Sequence, residues 1–193
     1  MPRCEEIEYE ELRTGRRTVA IRVLPDGTVR LYLPRRFPAR EAEAILAGKL
    51  DWIRSVREKA FADRAAAGPV LTEAELEELR RRGRRVFPEK AACWAKRIGV
   101  DYGRITIRCQ RTRWGSCSAR GDLSFNCLLL LLPEGALDAI VVHELCHRLY
   151  MDHSPAFYEA VLRAYPDYKM WERVLLNEGG RLLLRLPTKR EQA

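Results

Sequence analysis

The chain has 193 residues, enough to bury a core of its own, and one compact domain over residues 1–186 with a loose polar tail over 187–193 is the simplest organisation expected of it. Its basic residues outnumber the acidic ones, 35 to 27, and arginine dominates them, so the formal charge of +8 attracts anions without selecting a class of partner. No apolar run approaches the roughly 20 residues that span a bilayer, and the opening MPRCEEIEYEEL lacks a signal-type hydrophobic stretch, which points to a cytoplasmic protein with no membrane contact.

Residues 7–34 alternate as strands, with Val19, Ile21 and Val23 on one and Val29, Leu31 and Leu33 on the next, and Asp26-Gly27 between them marks a β-hairpin or meander. A helix is expected from Ala39 to about Ala66, with Ile45, Leu46, Leu50, Ile53 and Val56 at core spacing and Gly68-Pro69 as its end. Thr72 is placed to cap the next helix, and Glu75 completes a capping box. In that helix the glutamates come first and Arg80-Arg81-Arg82-Gly83-Arg84-Arg85 last, the order a helix dipole prefers at its two ends. Pro88 then marks the approach to a further helix through Trp94 to Ile98. Trp52, Trp94 and Trp171 read as packing residues, and no internal repeat or low-complexity linker occurs.

From Arg104 to Leu132 the period-2 pattern returns, with Ser118-Ala119-Arg120-Gly121-Asp122 as a hairpin turn. Arg113, Trp114, Ser116 and Asn126 are the polar or amphipathic residues available to face a cleft, or else to support the fold beneath it. A strand edge here could hold an extended peptide through its main chain. The six cysteines show no C-x-x-C spacing and read mostly as small buried hydrophobes, although Cys117 and Cys127 could approach each other across the hairpin.

The chemistry is concentrated in VVHELCHRLYMDHSPAF. His143 and His147 lie four positions apart on a helix expected over Ala136 to Leu149, whose stripe of Leu137, Ile140, Val141, Leu145 and Leu149 faces a core. Glu144 is in no ligand position and is suited to take a proton from a water on the ion that the two histidines share. His153 makes the string H-E-x-x-H-x5-H: three ligands with a fourth position open, the arrangement of a catalytic zinc site. All three histidines of the chain fall within these eleven residues, which favours a ligand over an ordinary surface histidine at 153. Tyr150 stands where a turn-making glycine is common, so the chain must return to the metal by another route. Ser154-Pro155 looks like a cap and first-turn proline opening a helix from Pro155 to Ala164.

RTRWGSCSARGDLSFN, VVHELCHRLYMDHSPAFY and PDY together resemble the YgjP-like family of metal-dependent hydrolases, related to the WLM and SprT-like zincins and described as M48-like. RTGRRTVAIRVLPDGTVRLYLPRRF resembles the family's N-terminal stretch, so the likeness runs from about Ile7 to Leu176. It implies an α+β fold: a minimal zincin-like metallopeptidase core over 88–176, helices on a small antiparallel or mixed sheet, with a strand and helix layer over 7–70. It also implies zinc on His143, His147 and His153, with Glu144 as the catalytic base.

The expected activity is zinc-dependent hydrolysis of a peptide bond, with Tyr150, Tyr158 and Arg113 as possible donors to the developing oxyanion. A nucleotide (UTP-type) pyrophosphatase is the alternative. It would use arginines such as Arg111, Arg113 or Arg120 and call for carboxylate clusters to hold magnesium, which the sequence lacks. A zinc-stabilised, non-catalytic binding module, DNA-associated through the basic surface, is the third reading.

Overall fold

The computed structural model describes residues 3–4 and 7–187, and divides the chain into two compact units between Gly68 and Pro69. Throughout, helices pack on small mixed sheets, an α+β fold of minimal zincin-like type.

The first unit holds a sheet of β1 (Arg3–Cys4), β2 (Ile7–Thr14), β3 (Ala20–Val23) and β4 (Val29–Pro34). Asp26-Gly27 makes the expected hairpin: β3 and β4 are antiparallel, with Ile21 opposite Leu31, and Asp26 accepts from the Thr28 amide at 2.9 Å. A simple meander is not formed, because β2 pairs with β4 rather than with β3, and in parallel, giving the order β1-β2-β4-β3. β4 takes the inner place because its inward positions are the most completely apolar: Val29, Leu31 and Leu33 are all buried, whereas the side chains of β3 are at best half-buried. The helix expected over 39–66 is two, α1 (Ala39–Ala47) and α2 (Leu50–Ala66). The break falls at Gly48, a poor helix former, and at Lys49, which has left helical angles. Ala42, Leu46 and Ile53 cover Ile7, Tyr9 and the β4 residues in a separate core. Trp52 is exposed rather than packed.

The second unit begins with α3 (Glu73–Ile98), and here two sequence expectations fail together. The capping box forms, Thr72 Oγ1 accepting from the Glu75 amide and the Glu75 carboxylate from the Thr72 amide. The helix does not stop at the arginines, however, nor does a new one start after Pro88: one 26-residue helix runs through both. Leu76, Leu79, Gly83, Phe87, Ala91 and Trp94 make an unbroken buried stripe at three-to-four spacing on either side of the proline. The carbonyl that Pro88 leaves without a donor belongs to exposed Arg84 and can face water. The arginines are therefore mid-helix and paired along the surface: Arg80 with Glu73 and Glu77, Arg81 with Glu78, and Arg84 with Glu77.

β5 (Ile105–Arg108), β6 (Gly115–Cys117) and β7 (Leu123–Asn126) form the second sheet in the order β5-β7-β6, with β7 parallel to β5 and antiparallel to β6. Gly121, at φ 88°, turns the β6–β7 hairpin as expected. A 3-10 turn, Cys127–Leu131, leads to α4 (Glu134–Cys146), followed by α5 (Pro155–Ala164), α6 (Tyr168–Val174), a π turn (Leu175–Gly179) and α7 (Gly180–Leu184). α3 and α4 pack on each other and both also meet the sheet, α3 at β5 and α4 at β6, and Val141, Val142 and Leu145 are completely buried. Asp138 fixes it to α3 by accepting from Trp94 Nε1 at 2.9 Å and from Lys90 at 3.1 Å. α4 ends three residues earlier than expected, and Leu149 is exposed instead of extending the stripe.

Cys127 is disulfide-bonded to Cys109, not paired with Cys117, and their Cα atoms are 5.7 Å apart. Topology decides this: β5 and β7 are parallel neighbours with Arg108 opposite Asn126, so the next residue on each strand meets its counterpart. Of the free cysteines, Cys146 is buried, Cys117 half-buried and Cys93 exposed. The Cys4 side chain and the tail over 188–193 lie outside the described residues.

Candidate metal centre

α4 presents His143 and His147 one turn apart, and the chain then folds back without any non-glycine residue at positive φ. The Leu149 and Tyr150 amides both donate to the Cys146 carbonyl, and His147 Nδ1 lies 3.0 Å from the Tyr150 carbonyl, so the turn is built on His147 itself. Asp152 accepts from the Ser154 amide at 3.3 Å. Ser154 caps α5 by accepting from the Phe157 amide, with Pro155 in the first turn. This sets His153 in the link between the two helices. Arg148 ties the turn to the hairpin through the carbonyls of Asp101 and Ala119.

The result is a cluster in which one nitrogen from each of His143, His147 and His153 lies within 4.8 Å of the others. His143 Nε2 and His153 Nε2 are 3.1 Å apart. Phe157, fully buried, forms the floor, with its ring centroid 4.9, 4.6 and 5.0 Å from the three imidazoles in chain order. The spare nitrogen of His143, Nδ1, is 2.9 Å from the Tyr168 hydroxyl. Burial, then the neighbouring His147 and His153, lowers the pKa of His143 to about 4, and burial also lowers that of His147. Three imidazoles with converging nitrogens fit a cation, and the lowered pKa values of His143 and His147 favour the neutral form in which those two can ligate it.

Glu144 is 6% exposed, and burial raises its pKa to about 8 against the opposing charge of Arg113. Its carboxylate lies so close to the backbone of β6 that a Cβ on Gly115 would meet Glu144 Oε1 at 2.5 Å. β6 is an edge strand of its sheet.

The other residues singled out in the sequence separate by what they touch. Asn126 is fully buried and spends its side chain on the backbone, Nδ2 donating to the carbonyls of Gln110 and Arg113 and Oδ1 accepting from the Leu128 amide. It therefore shapes the loop that carries Arg113. Trp114 lies against Gly179, where an added Cβ would meet its ring at 2.6 Å. Ser116 is half-buried on β6, opposite Ser124. Arg113 and Tyr150 are exposed, and Tyr158 is half-buried with its ring centroid 6.1 Å from that of His153. Gly115, Phe157 and Tyr168 were not singled out by sequence reasoning. All three lie in or beside the quoted motif strings, but apolar or turn-forming residue types carry no signal of a site until the neighbours are known.

Helices on a small mixed sheet around a three-histidine cluster define the class, a metallopeptidase-like α+β domain with a potential metal site. The YgjP-like, metallopeptidase domain model matches residues 70–178, and the chain belongs to that family. Among solved structures it is similar to the metallopeptidase zymogen of Pyrococcus abyssi abylysin, at 20% identity and a TM-score of 0.43 over 47% of this chain and 93% of that one. No curated protein matches the chain. No helix among the described residues is long and apolar enough to cross a membrane.

Proposed function

We propose that the protein is a zinc-dependent hydrolase that cleaves peptide bonds, with His143, His147 and His153 holding the metal and Glu144 as general base. Zinc bound there would draw the pKa of a water toward neutrality and polarise the substrate carbonyl. Glu144 takes up the proton of the attacking water and returns it to the leaving amine, and a carboxyl whose burial raises its proton affinity suits both transfers. Phe157 packs against all three imidazoles, and burial favours the neutral form of His143 and His147.

The observation that carries the peptide reading is the contact between the Glu144 carboxylate and Gly115 on the edge strand β6. An extended substrate adding to β6 through main-chain hydrogen bonds would run beside the base. Arg113 and Tyr158 are the proposed donors to the oxyanion, with Tyr150 at the rim, and Ser116 and Trp114 line and support the strand.

The test is zinc content of the purified protein by elemental mass spectrometry, with cleavage of an unfolded protein and of a nucleoside triphosphate assayed on the same samples. About one zinc per chain and proteolysis abolished by Glu144→Gln are expected. Glu144-dependent release of phosphate without proteolysis would replace the peptidase reading by the phosphohydrolase one.

A further inference from the structure

The three imidazoles differ in what holds the nitrogen that faces away from the cluster. His147 Nδ1 meets a backbone carbonyl, that of Tyr150, which can only accept. That contact requires Nδ1–H and leaves the Nε2 lone pair for a metal. His143 Nδ1 meets the hydroxyl of Tyr168, which can donate or accept, so the contact alone leaves its tautomer open. His143 Nε2 faces the cluster, 3.1 Å from His153 Nε2, so ligation through Nε2 places the ring proton on Nδ1, and the Tyr168 oxygen is then its acceptor.

We infer that Tyr168 is a positioning residue that holds His143 in its metal-ligating orientation and tautomer, its hydroxyl oxygen accepting from His143 Nδ1–H. The inference rests on the reading of the three histidines as a metal site. Tyr168 touches no reacting atom: it is 4% exposed and its ring lies over the His143 ring, the centroids 6.0 Å apart and the planes 20° from parallel. Partners that hold the second nitrogen of a ligating histidine orient the ring and sharpen the affinity of the first. For His143 that partner is a buried phenol, whereas His153 is the exposed member of the three.

The test uses the full chain carrying Tyr168→Phe, which keeps the ring and its packing, with zinc affinity read by chelator competition and the His143 tautomer by nitrogen NMR of the metal-free protein. Wild type is expected to show His143 protonated at Nδ1. Tyr168→Phe should mix the tautomers and weaken zinc binding by ~10–100-fold. An unchanged tautomer and unchanged zinc affinity in Tyr168→Phe would overturn the inference while leaving the metal site intact. A wild type that takes up no zinc would overturn both.

Discussion

At Glu144 a carboxyl group is held with its pKa near 8, while two positions of the same helix face hold imidazoles pushed below their ordinary range. The signs for stability are opposite. The folded-state pKa of Glu144 is raised above 4.5, so its contribution is full below that value and is lost as pH rises toward 8. The folded-state pKa of His143 is lowered below 6.5, so its contribution is lost as pH falls from 6.5 through about 4. Between 6.5 and 8 only the Glu144 effect varies of these two, and the chelated protein should lose stability there as pH rises. Glu144→Gln should flatten that loss, and denaturant unfolding of both proteins across pH 6 to 9 checks it. The same substitution should lower turnover by ~10²–10⁴-fold with zinc content unchanged, the usual weight of a general base. Gly115→Ala tests the carboxylate from its other side. The added methyl must displace a carboxyl that is walled in, so turnover should collapse while zinc stays bound, measured on one preparation.

At the scale of elements, the metal helix is held by neighbours more than by its own ends. α4 has no side-chain cap at its N-terminus and relies on Lys90, Trp94 and the hydrophobic contacts with α3. The loop carrying Arg113 is held at its start by the Cys109–Cys127 bond and along its length by Asn126. Replacing Cys109 by Ser should cost about 3 kcal/mol of stability in the chain-entropy account of a loop of this size. Thermal unfolding with and without reductant reads the effect, and the variant should be insensitive to reductant. The cap of α3 is visible in sequence because it is local: Thr72 and Glu75 are three residues apart and satisfy each other's backbone. The continuation of α3 through Pro88 was not visible, because what sustains it is a buried stripe whose partners, among them Ile107 against Gly83, are distant in the chain.

For the whole molecule, each unit has its own apolar core: Ile7, Leu31, Leu33, Leu46 and Ile53 in the first, and the Phe87, Phe125, Leu145 and Phe157 set in the second. The three histidines, their turn, the Phe157 floor and the family match all lie in the second. A fragment of residues 69–187 should therefore fold and bind zinc alone, checked by circular dichroism and zinc titration. Zinc at 100 times its dissociation constant should stabilise that fragment by about 2.7 kcal/mol, because only the folded chain assembles the three ligands.

The sequence by itself placed three histidines and Glu144 within eleven residues, with His143 and His147 one turn apart, and set the cap that opens α5, all through contacts within a few residues. It determined the α+β character and the two hairpins for the same reason, since period and turn residues are local signals. Only the tertiary structure decided that β2 pairs with β4, that Cys127 meets Cys109, that Asn126 supports a loop, and that Gly115, Phe157 and Tyr168 surround the histidines. Each of these depends on which distant segments share a core, and a residue's own type does not carry that information.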